Sequence, residues 1–128
     1  MVVDSSSLIA ILHREPDASM HLAAILNDVT GLISAATLLE TSIVSMRWNK
    51  GDALVALDVL VARLKLTVVS VNHEQVLIAR EAYRRFGRGQ HKAGLNFGDC
   101  FSYVLSKYSG EPLLFKGNDF SQTDVAVA

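Results

Sequence analysis

The chain has 128 residues, of which half are hydrophobic and a fifth are charged. This length and composition are typical of one globular domain, so we expect residues 1–128 to share a single core. The formal net charge of −1 gives no general positive field, so contact with nucleic acid would require a local basic cluster. A single cysteine excludes an internal disulfide framework and fits a reducing, cytoplasmic compartment. The longest apolar tract is interrupted by charges, which argues against a membrane span.

Predicted strands and helices alternate along the chain. In order, strand MVVD precedes helices SSSLIAILH and EPDASMHLAAILND, and strand GLISAA precedes a helix from Thr37 to about Asn49 and the helix DALVALDVLVARLK. The β-branched run LTVVSV predicts a buried strand, followed by helices NHEQVLIAREAYRRFG and NFGDCFSYVLSKYSG. EPLLF predicts a last strand, and the tail TDVAVA allows one more at the sheet edge. This alternation predicts an α/β three-layer sandwich, with helices on both faces of a parallel sheet of four to five strands.

Four acids stand where predicted strands end or predicted helices begin: Asp4, Glu40, Asp99 and Asp119. Thr37 and Glu40 have the T-x-x-E spacing of a capping box, and Asn96 and Asp99 have the same spacing at the start of the helix NFGDCFSYVLSKYSG. A carboxylate in the first turn of a helix is stabilised by about 0.3–1 kcal/mol through the helix dipole. Each acid, considered alone, is therefore explained by helix capping.

The joint placement of the four acids indicates a second possibility. The carboxyl ends of parallel strands meet at one edge of a sheet, where ligands bind at the topological switch point. Carboxylates that converge in a partly dry cleft repel one another, and a divalent cation relieves that repulsion. Oxygen ligands of this kind suit Mg²⁺ or Mn²⁺, and a carboxylate-bound metal with open water positions indicates hydrolysis of a phosphodiester. The chain has no G-x-x-x-x-G-K-S/T, G-x-G-x-x-G, C-x-x-C or H-E-x-x-H pattern that would indicate other chemistry.

The segment YRRFGRGQHK is the only strongly basic stretch, and it leads directly into the helix that carries Asp99. One interpretation is a solvated helix end, where the helix dipole favours cations. The other is a phosphate clamp for RNA with an aromatic ring for base stacking. Both interpretations concern the same residues: Arg84, Arg85, Arg88, His91 and Lys92. The adjacent Cys100 is expected to be a buried, inert thiol.

Four stretches in this order resemble the VapC family of PIN-domain toxins: MVVDSSSLIAIL, TLLET, YRRFGRGQHKAGLNFGDCFSY and LLFKGNDFSQTDV. The resemblance extends from Met1 to about Val125. It implies a metal-dependent endoribonuclease built on a sandwiched parallel sheet. It also implies the toxin half of a type II toxin–antitoxin pair, which forms a homodimer and is silenced by a VapB-type antitoxin.

The resemblance also implies roles for individual residues. Asp4, Glu40 and Asp99 match the three acids of the family's site, where Asp4 and Asp99 would bind Mg²⁺ or Mn²⁺ and Glu40 would bind the metal or position the attacking water. Ser6 matches a hydroxyl residue that supports the metal shell. The fourth acid is Asp119 or, failing that, Asp124, because Gly117 stands where many PIN sequences have an acid. This departure leaves the number of metal ions, one or two, undecided.

Two other functions are compatible with the sequence. The departure at the fourth acid allows a PIN-fold module that binds RNA or a protein partner without catalysis. A DNA nuclease or another phosphohydrolase could use the same acids. The sequence contains no recognisable base code that would name an RNA target.

Overall fold

The computed structural model describes residues 1–48 and 51–128. The strands are β1 (Val2–Val3), β2 (Leu32–Ser34), β3 (Thr67–Val69) and β4 (Leu113–Leu114). The helices are α1 (Ser5–Leu12), α2 (Ala18–Leu26), α3 (Ala35–Trp48), α4 (Ala53–Arg63), α5 (His73–Phe86) and α6 (Phe97–Ser109), followed by a 3-10 turn (Phe120–Gln122). Within the described ranges, no helix is long and apolar enough to cross a membrane.

The four strands form one parallel sheet in the order β3-β2-β1-β4. The chain therefore builds outward from β1 through β2 to β3, and then returns through α5 and α6 to place β4 on the other side of β1. This reversal of direction puts the topological switch point beside β1, whose carboxyl end leads directly to Asp4. The tail contributes an isolated bridge between Val127 and Leu113 instead of the additional edge strand that its sequence allowed.

Helices cover both faces of the sheet, which confirms the predicted three-layer sandwich. Successive side chains of a strand point to opposite faces, and the two residues of β1 show this directly. Val2 packs in a core with residues of α5 and α6, among them Phe86 and Tyr103. Val3 packs in a second core with residues of α1, α2 and α4, among them Leu8. Both valines are fully buried, so β1 is the centre of the molecule.

Two local predictions were wrong. The run LTVVSV was expected to be a buried strand, but β3 lies at the edge of the sheet and Val68 is 45% exposed. The third helix was expected to begin at Thr37, but α3 begins two residues earlier, at Ala35. Its predicted end at Asn49 lies outside the described residues.

Candidate metal centre at the carboxyl edge of the sheet

Asp4 occupies the end of β1 with a buried side chain that is almost fully hydrogen-bonded. It is the N-cap of α1, and its Oδ2 accepts hydrogen bonds from the backbone nitrogen of Ser6 at 2.9 Å and from Ser6 Oγ at 2.6 Å. Its Oδ1 accepts a third hydrogen bond, from Ser102 Oγ at 2.6 Å. A charged group that is only 3% exposed is stable in the fold when donors surround it in this way. Asp4 and Ser6, which the resemblance implied, are therefore in contact, and Ser102 is a third partner that the sequence analysis missed.

Thr37 has a different role from the one that the T-x-x-E spacing suggested. Because α3 begins at Ala35, Thr37 lies inside the helix and is not its cap; instead, Ser34 Oγ accepts a hydrogen bond from the backbone nitrogen of Ala36 at 3.3 Å. The buried Thr37 hydroxyl lies 3.1 Å from Ser102 Oγ. The capping interpretation of Thr37 was wrong, and its hydroxyl belongs to the chain of polar groups that reaches Asp4.

Asp99 is the third residue of α6 and belongs to the capping box that the sequence predicted. The backbone nitrogen of Asn96 donates to Asp99 Oδ2 at 2.7 Å, and the backbone nitrogen of Asp99 donates to Asn96 Oδ1 at 3.0 Å. Asp99 lies one turn before Ser102 on α6, and Glu40 lies one turn after Thr37 on α3, so each pair shares a helix face. The contact between Thr37 and Ser102 therefore places Glu40 and Asp99 on the same side of the molecule as Asp4.

The electrostatics of the cluster indicate that the acids lie near one another. Burial raises the pKa of Asp99 to about 6, and the negative charges of Asp4, Asp119 and Glu40 raise it in the same direction, against the hydrogen bond from the Asn96 backbone. Burial, followed by the charge of Asp4, also raises the pKa of Glu40. Each of these carboxylates makes ionisation of the others less favourable. A bound cation would favour the ionised forms again, so the cluster is suited to binding one.

The donor set fits a hard divalent cation that keeps much of its water. Carboxylate oxygens are the ligands that Mg²⁺ and Mn²⁺ prefer, and Asp4 and Asp99 each retain acceptor capacity beyond the hydrogen bonds that hold them. Within residues 1–48 and 51–128, no three His, Cys, Asp or Glu side chains stand close enough to enclose a metal ion by themselves. An ion such as Mg²⁺, which usually takes one or two carboxylates and several waters, requires no such enclosure.

The structure separates the two candidates for the fourth acid. Asp119 is exposed, makes no capping hydrogen bond to the 3-10 turn that follows it, and is close enough to raise the pKa of Asp99. Asp124 is engaged elsewhere, since it accepts a hydrogen bond from the Tyr103 hydroxyl at 2.6 Å and pairs with Arg85 at 3.3 Å and Lys107 at 3.8 Å. Of the two, Asp119 is the one whose charge raises the pKa of Asp99.

Comparison with known proteins agrees with this fold. The PIN-domain family model matches residues 1–126. The chain belongs to the PIN-domain family. It is 49% identical over 127 residues to Ribonuclease VapC of Mycolicibacterium smegmatis, covering 98% of each chain. It is 48% identical to Ribonuclease VapC30 of Mycobacterium tuberculosis, covering 98% of this chain and 96% of that protein.

Solved structures share the fold at much lower sequence identity. VapC20 of Mycobacterium tuberculosis, described as a toxin that cleaves the sarcin–ricin loop, superposes with a TM-score of 0.81 at 18% identity and covers 99% of this chain and 97% of that one. A chain of VapBC2 from Rickettsia felis, solved with a promoter DNA fragment, gives a TM-score of 0.78 at 13% identity and covers 98% and 94%. These likenesses confirm the predicted PIN-like sandwich.

Three of the five basic residues predicted to contact RNA are engaged within the PIN domain. Arg84 makes two hydrogen bonds to Glu81, at 2.6 and 2.8 Å, on the exposed surface of α5. Arg85 pairs with Asp124, and its guanidinium lies 4.5 Å from the centre of the Phe86 ring. The His91 ring packs edge-on against the same phenylalanine, and its Nδ1 accepts the hydrogen bond of a backbone nitrogen within its own loop.

Arg88 and Lys92 are the remaining two. Both are exposed in the loop between α5 and α6, and neither forms an ion pair with another described residue. This loop ends at Asn96, which caps the helix that carries Asp99. Its two unpaired cations are therefore close in sequence to the acid cluster.

Cys100 is buried, and its Sγ lies 3.2 Å from the backbone oxygen of Asn96. Burial raises its pKa to about 11, and the charge of Asp99 acts in the same direction. A thiol with so small a thiolate fraction is a poor nucleophile, which agrees with the expected packing role.

Proposed function

We propose that this PIN domain is a divalent-metal-dependent endoribonuclease that acts as the toxin of a type II toxin–antitoxin pair. The observation that carries the proposal is the convergence of Asp4, Glu40 and Asp99 at the switch point of the sheet. Relatives that are 48–49% identical over almost the whole chain are named ribonucleases. The acid cluster and the names of these relatives support the same reaction class, because carboxylates at the carboxyl edge of a parallel sheet suit metal-assisted hydrolysis of phosphodiesters.

The metal would be Mg²⁺ or Mn²⁺, with Asp4 and Asp99 as direct ligands. When bound, it would supply an activated water and neutralise charge on the phosphate oxygens. The protein fixes the ligands in advance, since Ser6 and Ser102 hold the Asp4 carboxylate and Asn96 holds that of Asp99.

Glu40 would orient the attacking water and accept its proton. Burial raises the pKa of its carboxyl, which makes the carboxylate a stronger base than an exposed glutamate. A hydrogen bond from the Ser5 side chain opposes this shift and would keep the carboxylate ionised before the reaction. Asp119, which is exposed at the mouth of the cluster, would add negative charge outside the direct ligands.

Cleavage of RNA with and without Mn²⁺ tests the assignment. The wild type should cleave in Mn²⁺ or Mg²⁺ and lose activity in EDTA, and Asp99→Asn should lose at least a hundredfold, because a direct ligand is removed. Asp58→Asn, an equal change of charge on the exposed surface of α4, is the matched control and should behave as the wild type. Activity that survives EDTA, or an unchanged Asp99→Asn, would refute the assignment.

The RNA substrate would lie over the ends of α5 and α6. An open groove of about 650 Å³ between these helices is lined in part by the aromatic rings of Tyr83, Phe97 and Phe101, together with Arg80. Aromatic rings next to cations suit unpaired bases, which stack on them while the cations face the phosphates. Arg88 and Lys92, which are exposed in the loop that joins the two helices, would add contacts to the RNA backbone.

A homodimer and a VapB-type antitoxin complete the proposal. Helix α3 presents three exposed apolar side chains, Leu39, Ile43 and Met46, and this patch suits a second copy of the chain. A toxin–antitoxin complex from Klebsiella pneumoniae shares the fold, with a TM-score of 0.73. Light scattering of the wild type and Ile43→Glu tests the dimer, and co-purification with the product of the neighbouring reading frame tests the antitoxin. We propose a cytoplasmic location, which the proposed action on RNA would require and which the free Cys100 would suit as a thiol of a reducing compartment.

A binding module without catalysis is the second candidate. One observation favours it: in the described parts of the chain, no three acids are close enough to enclose a metal ion. Expression in cells without an antitoxin separates the two candidates. Growth arrest that disappears in Asp99→Asn supports the nuclease, whereas arrest that is equal in both proteins supports a binding module.

A further inference from the structure

Gly98, the second residue of α6, lies directly against the carboxylate of Glu40. A Cβ atom added at Gly98 would lie 2.2 Å from Glu40 Oε1 and 2.6 Å from both Cδ and Oε2. Real Cβ contacts below 3.0 Å essentially do not occur. The carboxylate of Glu40 therefore occupies the space that any side chain at position 98 would need.

The backbone of α6 does not itself require a glycine at this position. The described glycines with positive φ are Gly89, Gly94, Gly110 and Gly117, so Gly98 has a conformation that other residues adopt freely. A glycine within a helix is about 0.5–1 kcal/mol less stable than an alanine, so helix propensity favours alanine here. The close approach of Glu40 is the contact that excludes a Cβ.

We propose that Gly98 is a positioning residue for Glu40, which it acts on by leaving room for the carboxylate beside Asp99. This inference rests on the proposed metal-dependent hydrolysis. An alanine at position 98 would force the carboxylate to move by at least 0.8 Å, the difference between the 2.2 Å contact and the 3.0 Å limit. Catalytic groups need to be held to within about 0.5 Å, so this displacement is large enough to matter. Because the displaced atoms are the end of a flexible side chain, the fold can absorb the change.

Gly98→Ala is the test, with three measurements. Mn²⁺ affinity of the RNA-free protein and kcat for RNA cleavage are each expected to fall about 10- to 100-fold, while KM for RNA changes by less than about twofold. The melting temperature of the metal-free protein is expected to stay level or rise, since the helix gains an alanine. A glycine needed only for folding would give the opposite result, with a lower melting temperature and unchanged metal affinity.

Gly31→Ala is the matched control. A Cβ at Gly31 would lie 2.8 Å from Leu66 Cδ2, which is also the end of a flexible side chain. Gly31 directly precedes β2, at the edge of the sheet opposite the acids. The substitution therefore introduces similar crowding far from the cluster, and it should leave Mn²⁺ affinity and kcat unchanged.

A double variant shows whether Gly98 acts through Glu40. In a Glu40→Ala background the clash is absent, so Gly98→Ala should cost less than about twofold in Mn²⁺ affinity or kcat. If Gly98→Ala alone destabilises the protein, Glu40→Ala should restore its melting temperature. A loss of activity or stability of the same size in both backgrounds would overturn the proposal.

The outcomes also separate this inference from the proposed function. If the wild type neither binds Mn²⁺ nor cleaves RNA, the proposed function is refuted. The contact between Gly98 and Glu40 can still be tested by the position of Glu40 in a metal-free crystal structure of Gly98→Ala. If the wild type binds Mn²⁺ and cleaves RNA, and Gly98→Ala has the same Mn²⁺ affinity and kcat within twofold, only the role of Gly98 is refuted.

Discussion

Ser102 Oγ donates a 2.6 Å hydrogen bond to Asp4 Oδ1 across 98 positions of sequence. Both side chains are buried, and Ser102 also contacts the hydroxyl of Thr37. The bond connects the central strand to α6 at the point where the acids meet. A buried carboxylate depends on such donors, so Ser102 holds the Asp4 charge in place without contacting the substrate.

Ser102→Ala is expected to weaken Mn²⁺ binding and RNA cleavage about 10- to 100-fold, as the loss of a hydrogen bond to a metal ligand typically does. It should also lower the free energy of unfolding by about 1–3 kcal/mol, because Asp4 and Thr37 lose a partner in the interior. Isothermal titration with Mn²⁺ and chemical denaturation measure the two effects.

Ser106→Ala is the control for Ser102→Ala. Ser106 is a buried serine one turn further along α6, and its Oγ donates to the backbone oxygen of Glu111 at 2.7 Å. Its loss should destabilise the protein without changing Mn²⁺ affinity. Equal Mn²⁺ affinity in the two variants would contradict the role given to Ser102.

The raised pKa of Asp99 predicts how the stability of the metal-free protein depends on pH. The pKa of the Asp99 carboxyl is about 6 in the folded protein, compared with 3.8 for an aspartate outside the fold. The folded protein therefore binds this proton more tightly than the unfolded chain does. The stabilisation by the protonated form is complete below about pH 4 and is lost as pH rises through about 6. Asp99→Asn should therefore melt at a higher temperature than the wild type at pH 7.5 in EDTA, and the difference should vanish below pH 4.

With Mn²⁺ at pH 7.5, the wild type should melt at a higher temperature than Asp99→Asn, because the metal stabilises only a protein that binds it. Asp58→Asn provides the same change of charge on an exposed surface and should show neither effect. Melting curves across pH 4–8, with EDTA or Mn²⁺, supply the comparison. A wild type that is more stable than Asp99→Asn in EDTA at pH 7.5 would argue against a strained acid cluster.

The two candidate fourth acids should give opposite phenotypes. Asp119→Asn is expected to reduce Mn²⁺-dependent cleavage by several-fold with little change in stability, because Asp119 is exposed and acts on Asp99 through its charge. Asp124→Ala should leave kcat within twofold and lower the free energy of unfolding by about 1 kcal/mol, because the Tyr103 hydroxyl loses its acceptor. Cleavage assays paired with urea unfolding distinguish them, and the reverse pattern would make Asp124 the fourth acid.

Arg88 and Lys92 should contribute to RNA affinity through charge alone. If each contacts one phosphate, replacing both by alanine should reduce the slope of log Kd against log salt concentration by about 1.4. Arg63→Ala, which removes an exposed cation from α4 on the other face of the sheet, should leave the slope unchanged. Binding to RNA is measured with Asp99→Asn in EDTA to prevent cleavage, and a slope equal to that of the parent would exclude both residues.

Local spacing predicted the part of the site that local hydrogen bonds create. Asn96 and Asp99 bond to each other across one turn, so the two letters were sufficient to predict the capping box. Thr37 and Glu40 have the same spacing, but the end of β2 and Ser34 start the helix two residues earlier. A pattern of four letters cannot distinguish the first turn of a helix from its second.

Long-range contacts created the part that sequence did not reveal. Ser102 lies between apolar residues of α6, and its importance depends on Asp4 and Thr37, which α6 meets only after folding. Asp119 was preferred to Asp124 from the resemblance, and the contact of Asp124 with Tyr103 could not be predicted from the sequence. The sheet order likewise placed LTVVSV at an edge, although its composition is that of an interior strand.

The three hydrogen bonds to Asp4 determine how a harmless version of the protein should be made. An alanine at position 4 would remove the N-cap of α1 and leave Ser102 Oγ without its acceptor, at a cost of about 1–2 kcal/mol for the cap alone. A culture that survives such a variant could contain a misfolded protein instead of an inactive one. Asparagine at position 99 retains an acceptor oxygen for the Asn96 backbone, and it is the better choice for producing folded, inert material.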